Sequence, residues 1–449
     1  MSNRYAKLAK ELVARAKRRG ADAAEAYLQV GRESSVTVRG GEVEDLTQAT
    51  SKGVGLRVFV KGRLGFAFTS DFEPGSLAAF VDRAVELARA AAPDKLNGLP
   101  DKSLLKGRKQ PEGLFDPAVA NLASDWKLRA ALEVEKAGRS VDGRITTFDS
   151  VGAGDYVSEV HVASTEGLTG SYEGTYVFLY AVPVASENGQ LQTAHWMDYK
   201  RHLADLDSPE SVGREAARRA LRMLGARKVK SQRVPVIFEP QVAASFVGNL
   251  VAPANGDAVY KKASVFAGRL GEKLAPGNFT VVDDGLLARG LGSSPFDGEG
   301  IPTRRMPLVD RGVLRNFLYD AYTARKAKAA PTGNASRGYS SLPHVGVHNL
   351  YLEPGTETPE ALIRGVKQGL YVTSMLGSGA NPVTGDYSRG ANGLWIENGE
   401  LTFPVQEITV AGNLLQMLED VDGIGNDLRF RSSVAAPTLR FRELTVSGT

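Results

Sequence analysis

Val383-Thr-Gly-Asp-Tyr-Ser-Arg-Gly-Ala-Asn-Gly-Leu-Trp-Ile-Glu-Asn-Gly-Glu400 decides how the C-terminal half of this 449-residue chain is read. Its later part sets Glu397-Asn-Gly-Glu400 between Leu394-Trp-Ile and Leu401-Thr-Phe. That is a hairpin signal, because Asn-Gly takes the positive φ angles of a type I′ turn at little cost. Its earlier part packs Asp386, Tyr387, Ser388 and Arg389 between two glycines. One reading is a polar loop in which Asp386 and Arg389 fix the ends or backbone of a bound chain, since a guanidinium matches a carboxylate or paired carbonyls. The other is a turn in which the two charges pair with each other or cap neighbouring amides. No adjacent histidine activates Tyr387 or Ser388 as a nucleophile. The four residues are therefore candidates for substrate binding, and no catalytic residue is assigned.

Upstream, Val234-Pro-Val-Ile-Phe238 reads as a buried strand, and Gln241–Val251 as a helix with Val242, Phe246, Val247 and Leu250 on one face. The region 233–449 thus reads as a mixed, mostly antiparallel β domain. Two smaller portions precede it. In 1–95, an amphipathic helix carrying Leu8, Leu12, Val13 and Ala16 leads to hairpins at Gly40-Gly41 and Lys61-Gly62. A helix with Leu77, Phe80, Val81, Ala84 and Ala88 in register follows and stops before Pro93. In 116–226 the pattern recurs: a helix near Ser124–Ala137, alternating strands through Ile145, Val157–Ala163, Tyr172–Val184 and Leu191–Tyr199, then a helix opened by Ser208-Pro209. Linkers rich in Pro, Gly and charge lie near 94–117 and 227–233. The fold class expected is α+β.

Composition narrows the chemistry. There are 55 basic and 51 acidic residues, a net charge of +4 spread over the whole length, which argues against a nucleic-acid partner. The N-terminus lacks the unbroken apolar core of a signal peptide, and no apolar run is long enough to span a bilayer. A cytoplasmic location is the expectation. The chain has no cysteine, which removes disulfides and thiolate metal ligands, and only five histidines. His344 and His348 have the spacing of a helical metal pair, but Pro343 and Gly346 point to a strand with both side chains on one exposed face. His195, beside Asp198, reads as a strand-end residue.

Several stretches together resemble the TldD/PmbA family, in its TldE/PmbA branch. They include Gly20-Ala-Asp-Ala-Ala-Glu-Ala-Tyr27, Gly53-Val-Gly-Leu-Arg-Val58, Phe296-Asp-Gly-Glu-Gly300, Thr332-Gly-Asn-Ala335, the opening stretch, and Glu407-Ile-Thr-Val-Ala-Gly-Asn-Leu414. The resemblance implies a three-part chain and a pairing. TldD-type subunits carry an HExxxH helix that binds zinc with a thiolate, and TldE-type subunits complete the dimer and its cavity. In this chain the corresponding helix reads Gln241-Val-Ala-Ala-Ser-Phe-Val-Gly-Asn-Leu-Val251, and the thiolate region reads Gly425-Asn-Asp-Leu-Arg-Phe-Arg-Ser-Ser433. The family's three ligands are missing. The expectation is a metal-less subunit of a zinc peptidase of unfolded peptides, with zinc in a TldD-like partner. The alternatives are a stand-alone peptide-binding homodimer and a DNA gyrase modulator acting by direct binding.

Overall fold

The computed structural model describes residues 2–449. Its N-terminal half is built on long strands: β1 (Ala23–Arg39), β2 (Glu42–Val60), β3 (Arg63–Thr69), β4 (Ile145–Ser164), β5 (Thr169–Glu187), β6 (Gln190–Thr193) and β7 (Trp196–Lys200). They form one antiparallel sheet in the order β3-β2-β1-β4-β5-β6, with β7 also on β5. The two helix–strand–helix portions are joined here, because β1 pairs with β4 from Glu25↔Ser164 to Val38↔Val151.

The alternation of β1 explains how the sheet is covered. Ala24, Ala26 and Leu28 lie in one core with α1 (Ser2–Arg18) and α2 (Pro74–Ala90). Val36 and Val38, on the same face, lie in a second core. That core also holds two helices of the central portion, Ser124–Arg139 and Pro209–Leu221. Tyr27, on the opposite face, packs with Val160, Leu168, Phe296 and Ile301, so this side of the sheet meets the C-terminal domain. The two central helices approach closely at Gly138 and Gly213, where a Cβ on Gly213 would lie 2.1 Å from the Val134 carbonyl oxygen. The stretch between the portions is docked: the Arg325 guanidinium donates to the carbonyls of Leu96, Gly98 and Leu99.

In the C-terminal domain, strands 368–376, 386–397, 400–413 and 439–447 join β8 (Gln232–Phe238). The pairing of 400–413 with 439–447 closes these five strands into a ring. The Asn398-Gly399 turn has φ of 52° and 82°, as the hairpin reading requires. A second sheet, containing Val281–Asp284, Leu350–Leu352 and Val434–Ala435, lies alongside. The helix Pro240–Gly248 shares one large core with both sheets. No helix among the described residues is long and apolar enough to cross a membrane.

Candidate functional site

The helix Pro240–Gly248 starts directly after β8, with Glu239 before it and Pro240 in its first turn, where a missing N–H costs nothing. Glu239 is buried and accepts hydrogen bonds from Arg219 at 2.7 and 3.1 Å and from Arg222 at 3.4 Å, which ties the helix start to the central portion. Val242, Ala243, Phe246 and Val247 are buried. Phe246 makes edge contacts with Phe238, Phe441 and Tyr387 at 6.2, 5.1 and 6.4 Å between centroids. Gln241, Ala244, Ser245 and Gly248 are left on the outer face.

That outer face is a poor home for zinc. An amide, a methyl, a hydroxyl and a glycine offer neither imidazole nor carboxylate, and a catalytic zinc needs three such protein ligands. Asp427, in the segment where the resemblance places a thiolate, is engaged by the Thr438 N–H at 2.9 Å and hydroxyl at 2.8 Å. The residues present do not fit the metal. Among the described residues no group of three His, Asp or Glu side chains is gathered as metal ligands would be.

The opening stretch lies beside this helix, with its four candidates in unequal positions. Asn381 and Thr384 organise the turn: Asn381 Oδ1 accepts the Val383 N–H at 2.9 Å, and the Thr384 hydroxyl donates to Asp386 at 2.7 Å. The strand then begins, pairing Asp386↔Asn413 and Ser388↔Ala411. Asp386 and Ser388 are exposed. Arg389 does not pair with Asp386; it donates to the Ser245 hydroxyl at 2.8 Å, on the outer face of the helix. Tyr387, two residues earlier on the same face, lies deeper. It is 1% exposed, its hydroxyl donates to the Met375 sulfur, and burial pushes its pKa up to about 12. Strand alternation thus divides the stretch, with Asp386 and Ser388 outside and Tyr387 and Arg389 on the face toward the helix, Tyr387 in the core and Arg389 at its edge.

A cleft of about 870 Å³ opens along the outer face of the helix, between Pro240, Gln241 and Ala244, the helix Pro209–Leu221, and the segment around Arg429 and Arg431. Trp196 is its floor. The guanidiniums of Arg219 and Arg431 lie over its ring at 3.9 and 4.2 Å. Arg431 also binds Asp198 and Asp207 at 3.1 and 3.2 Å. Arg218 and Arg429 are exposed and make no ion pair or side-chain hydrogen bond among the described residues, which leaves donors on the wall. Such donors suit carbonyl or carboxylate oxygens of an extended chain. His195 is at the rim, its pKa lowered by desolvation.

Sequence reasoning placed the histidines only in part. His344 is exposed on a two-residue strand. His348 does not share that face: it lies beyond the strand, with its ring nitrogen 3.1 Å from Asp283 and its N–H donating to the same carboxylate at 2.7 Å. Burial alone lowers its pKa, but Asp283 outweighs this and the net shift is upward. The cleft itself was missed, because its walls come from residues about 200 positions apart. The one local signal was the Arg-rich Asn426–Arg431 run.

This fold and this helix define a class. The profile of the PmbA/TldA metallopeptidase C-terminal domain matches residues 231–448, that of domain 1 matches 24–88, and that of the central domain matches 118–224. The chain is 34% identical over 414 residues to the metalloprotease PmbA of Escherichia coli O157:H7, covering 92% of this chain and 90% of that one. It is 30% identical to a Bacteroides thetaiotaomicron structure named for modulation of DNA gyrase, with a TM-score of 0.91, covering 99% of this chain and 98% of the other. The TldE structure of Thermococcus kodakarensis superposes with a TM-score of 0.89 at 23% identity, a likeness of fold. The chain belongs to the PmbA/TldD metallopeptidase family.

Proposed function

We propose that this chain is the metal-less, TldE/PmbA-type subunit of a cytoplasmic peptidase whose zinc is held by a TldD-like partner. The observation that carries the reading is the outer face of the helix Pro240–Gly248, where Gln241, Ala244, Ser245 and Gly248 offer no ligand set for zinc. The chain contributes walls instead. Arg218 and Arg429 in the cleft, and Asp386, Ser388 and Arg389 on the neighbouring strand 386–397, hold an unfolded peptide through its backbone oxygens, amides and ends. Tyr387 supports that strand from the core. A chamber closed by two subunits admits extended chain and excludes folded protein.

Co-expression with a TldD-like chain bearing HExxxH tests this. The expected result is a stable heteromer that hydrolyses unfolded peptides and loses that activity to a chelator, while this chain alone is inert. Recovery of this chain only as an active homodimer, or as a DNA-binding species with a steep salt dependence, would overturn the proposal.

A further inference from the structure

Away from the cleft, three of the stretches that carry the family resemblance meet, with Arg337, in a buried charge network. Glu25 on β1 accepts from Arg57 on β2 at 3.2 Å and from Arg337 of the C-terminal domain. Arg57 donates to Glu299 at 2.8 Å, and Glu299 also accepts the Ala321 N–H at 2.7 Å. Beside the network is a cavity of about 310 Å³ that shares no lining residue with the cleft. The sheet supplies tyrosine walls, among them Tyr27, Tyr172 and Tyr176, and loops 291–298, 334–337 and 346–348 supply the rest.

Positive charge dominates this cavity. Arg201 is 3% exposed and spends its donors on the carbonyls of Leu114, Gly290, Leu291 and Ser293, with no carboxylate partner among the described residues. Arg337 has a fully buried side chain and uses only Nη1, on Glu25. Among the described residues its Nε and Nη2 have no hydrogen-bond partner. Those two nitrogens form one edge of the guanidinium, the spacing that grips both oxygens of a carboxylate. Asp297, the acid of the cavity, is pushed up to about 7 by burial and by Glu299, and accepts the N–H groups of Glu299, Ile301 and Ala335. His348 is matched by Asp283. The charged side chains that line the cavity are Arg201, Arg337, Asp297 and His348, so two guanidiniums share it with one carboxyl whose ionisation burial opposes. Two buried N–H donors without acceptors are costly to leave unmade, even on a guanidinium whose third edge is paired with Glu25.

We infer that this cavity binds a small carboxylate, gripped by Nε and Nη2 of Arg337 and packed against the tyrosine rings. The site does not depend on the peptidase reading, since none of its residues belongs to the cleft or the helix Pro240–Gly248. The probes are acetate and benzoate, each against its neutral amide, acetamide and benzamide, titrated into the full chain by calorimetry and ligand-observed NMR. The expected result is saturable binding of one carboxylate per chain, with the amides weaker by roughly tenfold or more. Arg337→Met should abolish it. Because that variant strands Glu25 and could unfold, Ser158→Leu provides a second test: Ser158 lines the cavity, lies outside the charge network, and the larger side chain fills the space. Loss of binding in the folded Ser158→Leu protein supports the site. Binding that survives Ser158→Leu, equal binding of acid and amide, or no binding of either carboxylate would overturn it, the last leaving a cavity that holds only water.

Discussion

Tyr387→Ala separates a core role from a ligand-facing one. The ring is 1% exposed, meets Phe246 at 6.4 Å, and is part of the core that also holds Trp395, Ile408 and Met417. Deleting a buried aromatic ring costs about 3–5 kcal/mol, because transfer energy is lost and the cavity collapses only in part. For a domain of this size each kcal/mol shifts the melting point by about 2–4 °C, so the C-terminal transition should fall by on the order of 10 °C. Tyr387→Phe removes only a hydroxyl whose partner is the Met375 sulfur, a weak acceptor, and should cost less than about 1 kcal/mol. Differential scanning calorimetry of both variants reads this directly. A Tyr387→Ala protein that melts with the wild type yet loses peptide binding would refute the core assignment and restore Tyr387 to the ligand.

Arg389→Ala should behave in the opposite way. Its contact to Ser245 is exposed, so stability should change by no more than about 0.5 kcal/mol in urea titrations, while peptide hydrolysis by the reconstituted heteromer weakens through KM. Gly213→Ala, whose Cβ would fall 2.1 Å from the Val134 carbonyl oxygen, should cost about 1–3 kcal/mol by prising apart the helices Ser124–Arg139 and Pro209–Leu221. Stability should also fall as pH rises. Asp297 has a folded pKa of about 7 against an ordinary 3.8, so the folded state binds the extra proton between those values. That advantage is complete below the lower value and is lost through the upper one, with a full linkage on the order of 4 kcal/mol. His348, raised by Asp283, acts in the same sense, and His195, lowered by burial, opposes it. Urea midpoints should therefore decline between pH 5 and pH 8, and a rise across that range would contradict the assignment to Asp297.

Local chemistry was legible in the sequence, and long-range pairing was not. The Asn398-Gly399, Gly40-Gly41 and Lys61-Gly62 turns all show the positive φ angles that their residues favour. The helix carrying Leu77, Phe80, Val81, Ala84 and Ala88 spans Pro74–Ala90 with those side chains buried. What periodicity could not reveal is the β1–β4 pairing that fuses two similar portions into one sheet, because register between strands more than 100 residues apart is set by packing on the helices. The site was half legible. The Gln241–Val251 helix and the Val383–Gly390 stretch were each singled out, but only folding brings Arg389 against Ser245 across 144 positions. The burial of Tyr387 between exposed Asp386 and Ser388 follows from strand alternation, and would have been readable had the stretch been taken as a strand start rather than a loop.

The metal content of the purified chain tests the central claim most directly. Expressed alone in zinc-supplemented medium, dialysed, and measured by plasma mass spectrometry, the protein should retain zinc far below one ion per chain and cleave no unfolded peptide. One tightly held zinc per chain, together with hydrolysis that a chelator abolishes and zinc restores, would contradict the account.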